Sequence, residues 1–131
     1  MYLREMFFIT ESLGVPTSLF VDDKQNVYAS ERSNSRILKW TPDMPSESEG
    51  IIIAGTGIKG SAANQLSWPR AIFVDKCENL YAVDRDNARI QYWPKDALWG
   101  NTVVAHCNSR VLLGMKVDHN GNIYAADWKN R

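Results

Sequence analysis

The sequence is poor in the residues that build metal and redox sites. Its 131 residues include only two histidines and two cysteines, and Cys77 and Cys107 lack the spacing of a zinc or redox motif. We expect two unpaired thiols, because a disulfide would need an oxidising compartment and close Cα atoms. A catalytic zinc usually takes three protein ligands, which His106 and His119 cannot supply. The sequence therefore predicts no metal and no other cofactor.

Long apolar runs and an excess of one charge are also missing. No stretch approaches the roughly 18 apolar residues needed to cross a bilayer, and the apolar core from Met6 to Ile9 is too short for a signal peptide. We expect no membrane contact, and the compartment stays open between the cytoplasm and a larger extracellular protein. Fifteen Lys and Arg residues balance fifteen Asp and Glu residues, so the composition gives no electrostatic signal for nucleic acid.

What the sequence does contain is an internal repeat. The segment from Pro16 to Trp40 matches the segment from Pro69 to Trp93 without a gap, at an offset of 53 residues. A third, partial copy begins near Leu112, at an offset of 43 residues from the second. The shorter offset is typical of one propeller blade. We place the ten extra residues of the longer offset in the Gly- and Ala-rich stretch 54–65, which is predicted to be a loop.

Each complete copy divides into four short strands. Leu19 with Val21, and Ile72 with Val74, alternate with other residues and share one face of the first strand. The Asp-x-x-x-Asn segments that follow predict turns. Four antiparallel strands per unit, repeated about every 40 to 50 residues, predict an all-β fold of β-propeller blades. The remaining strands of the first copy are predicted at 27–30, 36–40 and 50–55. Those of the second copy are predicted at 80–83, 89–93 and 102–105, and the second strand of the third copy at 123–126.

The repeats resemble the NHL repeat family. The resemblance rests on the run from Pro69 through Val74-Asp75, on residues 79–84 (Asn-Leu-Tyr-Ala-Val-Asp) and on residues 87–90 (Asn-Ala-Arg-Ile). Three features depart from the family: Glu31 replaces an aspartate, the glycine before Asn26 and Asn79 is absent, and the third copy lacks the proline.

The resemblance implies that the whole chain, residues 1–131, is part of an NHL propeller of the six-bladed kind. Residues 1–15 would be a strand or linker that completes a neighbouring blade. Repeat 1 would span residues 16–58, and a loop would follow at residues 59–68. Repeat 2 would span residues 69–108, and a truncated repeat 3 would span residues 112–131. Two full copies and part of a third cannot close a ring, so the predicted fold is an incomplete, open propeller fragment. Because open blades expose strand edges, we expect the chain to be a fragment or truncated product or, as the alternative, copies of it to associate and complete a ring.

The polar residues that recur in every copy are expected to build blades rather than a site, because a catalytic group need occur only once. The first-strand aspartates are predicted to accept turn N–H groups, and the asparagines of the next turn to do the same. The arginines that begin the third strands are expected to bond to a nearby carboxylate, and the tryptophans to pack within blades. These residues are Asp22, Asp75 and Asp118; Asn34 and Asn87; Arg36 and Arg89 with Glu31 and Asp84; and Trp40 and Trp93.

In the families that the chain resembles, the connections between blades and the loops between second and third strands gather on one face, which is the usual binding surface. A mixture of Arg and Trp is typical of interface hot spots, although ordinary loop polarity explains it equally well. RNA binding through the basic members is a further alternative, which the neutral total charge disfavours. The implied binding face comprises Arg32, Ser33, Trp68, Arg70, Arg85, Asp86, Trp128 and Lys129.

The favoured function is a propeller scaffold that binds an unidentified protein or small ligand, and the chain is predicted not to be an enzyme. One alternative is the propeller of a tripartite-motif-type ubiquitin ligase that recruits substrates or RNA. A second is a fragment of a propeller like the peptidyl-α-hydroxyglycine lyase. The resemblance implies histidine-bound zinc for that lyase, and the two histidines here disfavour it.

Overall fold

The computed structural model describes residues 14–106 and 112–129. In these ranges the chain forms two four-stranded antiparallel sheets and one two-stranded sheet, with neighbouring strands paired in chain order. This confirms the predicted all-β class of propeller-type blades. Blade 1 contains β1 (Pro16–Val21), β2 (Val27–Glu31), β3 (Arg36–Trp40) and β4 (Ile51–Gly55). Blade 2 contains β5 (Pro69–Val74), β6 (Leu80–Asp84), β7 (Arg89–Trp93) and β8 (Asn101–Ala105), and blade 3 contains β9 (Leu112–Val117) and β10 (Ile123–Asp127).

Some predictions fall on parts of the chain outside the described residues. These are the strand or linker at 1–15, apart from its last two residues, and the structural state of Cys107. Cys77 is an exposed free thiol. Across the described ranges, no helix is long and apolar enough to cross a membrane.

The ten-residue insertion was predicted in one loop, and the structure divides it between two. The β3–β4 loop of blade 1 (41–50) is three residues longer than the β7–β8 loop (94–100). The connection from β4 to β5 (56–68) is seven residues longer than the one from β8 to β9 (106–111). Residues 54 and 55 belong to β4, which confirms the strand predicted at 50–55, and the loop begins only at residue 56. The prediction was wrong because the repeat match ends at Trp40 and Trp93, so the sequence could not align the fourth strands.

The first turn of every blade is built on one aspartate, as predicted. Asp22 Oδ1 accepts the N–H groups of Lys24 and Asn26 at 2.9 Å each, and Asn26 Nδ2 donates to Asp22 Oδ2 at 2.8 Å. Asp75 and Asp118 accept the same set of bonds in blades 2 and 3. These bonds satisfy backbone donors that the turn would otherwise leave without a partner.

A buried carboxylate closes the second turn of each complete blade. Asp84 accepts hydrogen bonds from Arg89 Nε at 2.7 Å, Asn87 Nδ2 at 2.8 Å and the backbone N–H of Ser67 at 2.7 Å. The predicted bond between the arginine and the carboxylate is therefore confirmed. The asparagines have a role that was not predicted: Asn87 donates its side-chain amide to the carboxylate, because a fully buried anion needs donors on several sides. Blade 1 repeats the arrangement with Glu31, Asn34, Arg36 and Gly14.

The blades stack face to face. Blade 2 packs Ile72, Val74 and Ala82 against blade 1, and packs Ala71, Phe73 and Tyr81 on the side of blade 3. At the two outer faces of the stack, the equivalent positions in blades 1 and 3 are not covered by another blade among the described residues. Leu19 is 61% exposed where Ile72 is 4% exposed, and Tyr124 is 61% exposed where Tyr28 is 1% exposed. This pattern is the one expected of an open set of blades.

The paired tryptophans pack within the blades, as predicted. Trp93 is a buried member of the core between blades 1 and 2, and Trp40 donates its indole N–H to the Ser48 carbonyl at 2.8 Å. A glycine lies against each ring: a Cβ at Gly50 would stand 2.7 Å from Trp40, and a Cβ at Gly100 would stand 2.8 Å from Trp93. The buried Trp93 therefore offers no face to a ligand, and Trp40 has one side of its ring covered by Gly50.

Candidate functional site

One end of the stack, which we call the loop face, carries the β2–β3 turn (32–35), the β4–β5 connection (56–68) and the β6–β7 turn (85–88). Arg32 and Arg85 open the two turns and are equivalent positions of successive blades, 53 residues apart. Trp68 is the last residue before β5 and lies at the junction between the two blades. The stacking of blades therefore brings these three side chains together.

Trp68 is contacted by both arginines. The guanidinium carbon of Arg32 lies 4.0 Å from the centre of the Trp68 ring, and that of Arg85 lies 4.2 Å from it. Both distances are well within the range of a cation–π interaction. We call Arg32, Trp68 and Arg85 the Arg–Trp cluster.

The backbone holds Trp68 in an unusual conformation. Its φ is +56°, in the left-handed region that bulky residues rarely adopt and that costs about 1–3 kcal/mol. The preceding Ser67 is fixed on two sides: its N–H donates to the buried Asp84 carboxylate, and its carbonyl accepts the Asp86 N–H at 3.1 Å. The carboxylate that closes the blade 2 turn thus also positions the tryptophan.

A cavity of about 90 Å³ opens beside the Arg–Trp cluster, and we call it the Arg–Trp cavity. Arg70, the second residue of β5, also lines it, so four of the eight residues predicted for the binding face converge here. Thr17 and Pro69 complete the lining. The sequence analysis missed both, although Thr17 is the blade 1 equivalent of Arg70, and that equivalence could have indicated it.

Asp86 provides negative charge at the edge of the cluster. Its carboxylate lies 3.3 Å from Arg85 Nη1 and 3.6 Å from Lys59 Nζ, and it accepts the Ser67 hydroxyl at 3.2 Å. One carboxylate is thus shared between two cations. The site consequently combines an aromatic face with guanidinium groups, a set that suits anionic and planar ligands.

The other predicted face residues do not line this cavity. Ser33 accepts the backbone N–H of Val15 at 3.0 Å, which gives it a local structural contact. Trp128 and Lys129 are exposed after β10. Trp128 occupies the blade 3 position equivalent to Arg85, one blade further along the stack, and it is not part of the Arg–Trp cluster.

A larger groove of about 550 Å³ runs along the inner strands β1, β5 and β9 and along β10. Among the described residues that line it, Lys116 is the only charged one, and its ammonium lies 5.9 Å from the ring centres of Phe20 and Phe73. One wall of the groove is the surface around Tyr124, whose equivalents in blades 1 and 2 face the following blade. Because it follows the first strands of all three blades, we interpret this groove as the surface left open along the inner side of the incomplete ring, not as the candidate site.

The histidines do not form a centre. His119 lies exposed in the β9–β10 turn, as predicted, and His106 is exposed after β8. Among residues 14–106 and 112–129, no group of three or more His, Cys, Asp or Glu side chains could hold a metal ion.

The opposite end of the stack, which we call the turn face, carries a different charged group. Glu78 accepts hydrogen bonds from Lys39 at 2.7 Å, Lys95 at 2.8 Å and Lys24 at 3.0 Å. These bonds hold the pKa of the Glu78 carboxyl far below its usual value. Since Lys24 and Lys39 belong to blade 1 and Lys95 to blade 2, Glu78 ties the two blades together.

Comparison with known proteins supports the fold alone. No family model and no curated protein matches the chain. Among solved structures, the chain is similar to selenomethionine-substituted virginiamycin B lyase from Staphylococcus aureus, with a TM-score of 0.58, 13% identity and 86% of this chain covered. It is also similar to a streptogramin B lyase, with a TM-score of 0.63, 13% identity and 92% covered. The chain spans 34% and 37% of those two chains, about a third of their length.

These neighbours confirm the β-propeller fold and the partial coverage expected of a fragment. They overturn the prediction that the chain is not an enzyme, because both similar structures are lyases. The prediction was wrong because it took repeated structural residues as a sign that catalysis was absent, and the role of residues in building blades does not exclude it. A propeller fold by itself does not prove catalysis. Without a matching family model, the NHL assignment remains a prediction.

Proposed function

We propose that this chain is a ligand-binding segment of a larger β-propeller, and that it binds through the Arg–Trp cavity on its loop face. The observation that carries the proposal is the convergence of Arg32, Trp68, Arg70 and Arg85 on one cavity at a blade junction. The strained backbone of Trp68 adds support, because such conformations cluster at functional sites. Loops held on a rigid scaffold are also where propellers place their specificity.

The proposal is tested by following the indole N–H signals of the protein in ¹H–¹⁵N NMR spectra. A Trp68→Phe variant identifies the Trp68 signal, and Trp99→Phe identifies that of an exposed tryptophan in the β7–β8 loop. A panel of amino acids, nucleotides, sugars, virginiamycin B and a single-stranded RNA oligomer is then added. We expect at least one compound to shift the Trp68 signal and to bind Trp68→Ala far more weakly than Trp99→Ala. Compounds that bind both variants equally would contradict the proposal.

A second candidate function is lyase activity of the streptogramin B type in the complete propeller. The fold similarity to two such lyases favours it. Chromatographic loss of intact virginiamycin B during incubation with the protein tests this candidate. We expect turnover only if residues beyond this third of the propeller complete the site, so the chain alone and the chain within its longer protein are compared.

A further inference from the structure

The Arg–Trp cluster brings two cations to a single indole. The guanidinium groups of Arg32 and Arg85, each about 4 Å from the Trp68 ring, carry like charges that repel each other. An anion bound in the cavity that both arginines line would offset this repulsion.

We propose that the Arg–Trp cavity binds a small oxyanion, either a carboxylate or a phosphate group carried by the ligand. This inference rests on the proposed function and specifies the chemistry of the same site. A guanidinium that lies over an aromatic ring uses its flat face for that contact, and its N–H donors point outward in its plane. Carboxylate and phosphate oxygens match that planar donor pattern.

The protein already holds one carboxylate in this way. Asp86 lies 3.3 Å from Nη1 of Arg85 at the edge of the cluster. Its second cation, Lys59, is 68% exposed in its side chain and lies 3.6 Å away. Asp86 therefore shows that a carboxylate can approach Arg85 at this face, and a ligand anion would use the donors of Arg32 and Arg70 that also line the cavity.

The size of the cavity restricts what can enter. A volume of about 90 Å³ is far below the roughly 300–1,000 Å³ of sites that enclose a whole drug-sized ligand. It is enough for a few water molecules or for one compact group of similar size. The cavity therefore fits the anionic group of a ligand, while the remainder of the ligand would lie on the loop face outside it.

The test uses inorganic phosphate and acetate as separate probes, each titrated against sodium chloride at matched ionic strength. The readout is the Trp68 indole signal. We expect saturable shifts with phosphate or acetate that chloride does not produce. We expect the affinity to fall about tenfold or more in Arg32→Gln, as for loss of a charge-assisted hydrogen bond.

Two control variants separate a specific site from general charge attraction. Lys76→Gln removes the same charge from an exposed residue of the β5–β6 turn on the turn face, and it should leave the affinity unchanged. Arg32→Lys keeps the charge without the planar donors and should bind with intermediate affinity, which also guards against misfolding of the glutamine variant. Equal weakening in Arg32→Gln and Lys76→Gln, or shifts no larger than those of chloride, would overturn the inference.

The outcome also separates this inference from the proposed function. If phosphate and acetate fail while another compound binds in a Trp68-dependent way, the oxyanion inference is wrong and the binding face stands. If the anions bind at Trp68 but the affinity of every larger ligand is unchanged by the Trp68 substitution, the oxyanion inference is supported and the proposed function is wrong.

Discussion

Replacing Glu78 with glutamine removes one negative charge from between three lysines and changes little else. The glutamine keeps the length of the side chain, and the backbone φ of +63° at this position is equally unfavourable for both residues. The substitution therefore isolates the charge that links blades 1 and 2 on the turn face.

The size of the effect follows from the exposure of the partners. The side chains of Glu78 and Lys39 are 8% and 17% exposed, so their contact at 2.7 Å resembles a partly buried charge-assisted hydrogen bond, worth about 1–2 kcal/mol after allowance for solvent. Lys95 and Lys24 are 49% and 64% exposed and add little. We expect Glu78→Gln to lower the free energy of unfolding by about 1–2 kcal/mol at neutral pH.

The loss must also depend on pH. The lysines depress the pKa of Glu78 in the folded chain below the ordinary value of 4.5. A depressed pKa gives stability that is fully present above the unfolded value and is lost as the pH falls through the folded value. The difference between wild type and Glu78→Gln should therefore be constant above about pH 5 and shrink at lower pH.

Urea unfolding followed by circular dichroism, at pH 7 and at several values below pH 4.5, measures this difference. The matched control is Glu49→Gln, which removes an exposed glutamate from the β3–β4 loop and should change stability by less than about 0.5 kcal/mol. A difference that stays the same at every pH, or an equal loss in the control, would refute the role given to Glu78.

Two further predictions concern the blades themselves, and both are measured by the same unfolding experiment. Gln25 has a φ of +64°, so Gln25→Gly should relieve backbone strain and stabilise the chain by about 0.5–1 kcal/mol; a loss of stability would show that the turn is not strained. Ile72→Ala should cost about 2–4 kcal/mol because Ile72 is buried between blades. Leu19→Ala, at the equivalent but exposed position, should cost under about 1 kcal/mol, and equal losses would contradict the stacking order.

Much of the fold could be predicted because local rules and the repeat agree. Alternating apolar residues and Asp-x-x-x-Asn turns place the second and third strands of each full blade within one residue of their observed ends. The burial of each strand could not be predicted in this way. Leu19 and Ile72 have the same local pattern. Ile72 is buried because blade 1 packs against it, whereas Leu19 is exposed because no described blade packs against it.

The candidate site was predictable only in outline. The sequence placed Arg32, Trp68, Arg70 and Arg85 on one face, and the structure adds that they meet at a single junction. That meeting depends on the positive φ of Trp68 and on the bond between Ser67 and Asp84, which joins residues 17 positions apart. Neither feature has a signal in one sequence. Aligning Arg32 with Arg85 as equivalent positions would have indicated that both approach the junction residue between their blades.

The central claim is that the arginines bonded to the buried carboxylates build the blades, while the arginines of the Arg–Trp cluster bind the ligand. Arg85 and Arg89 are four residues apart and allow a direct test, in which unfolding free energy and phosphate affinity are measured for Arg85→Gln and Arg89→Gln. Arg89 pairs with the fully buried Asp84, so Arg89→Gln should lower the free energy of unfolding by about 3 kcal/mol or more. It should leave the phosphate affinity of the folded chain unchanged. Arg85→Gln should cost less than about 1 kcal/mol and weaken phosphate binding about tenfold. The reverse pattern, or equal effects of the two variants on both quantities, would contradict the claim.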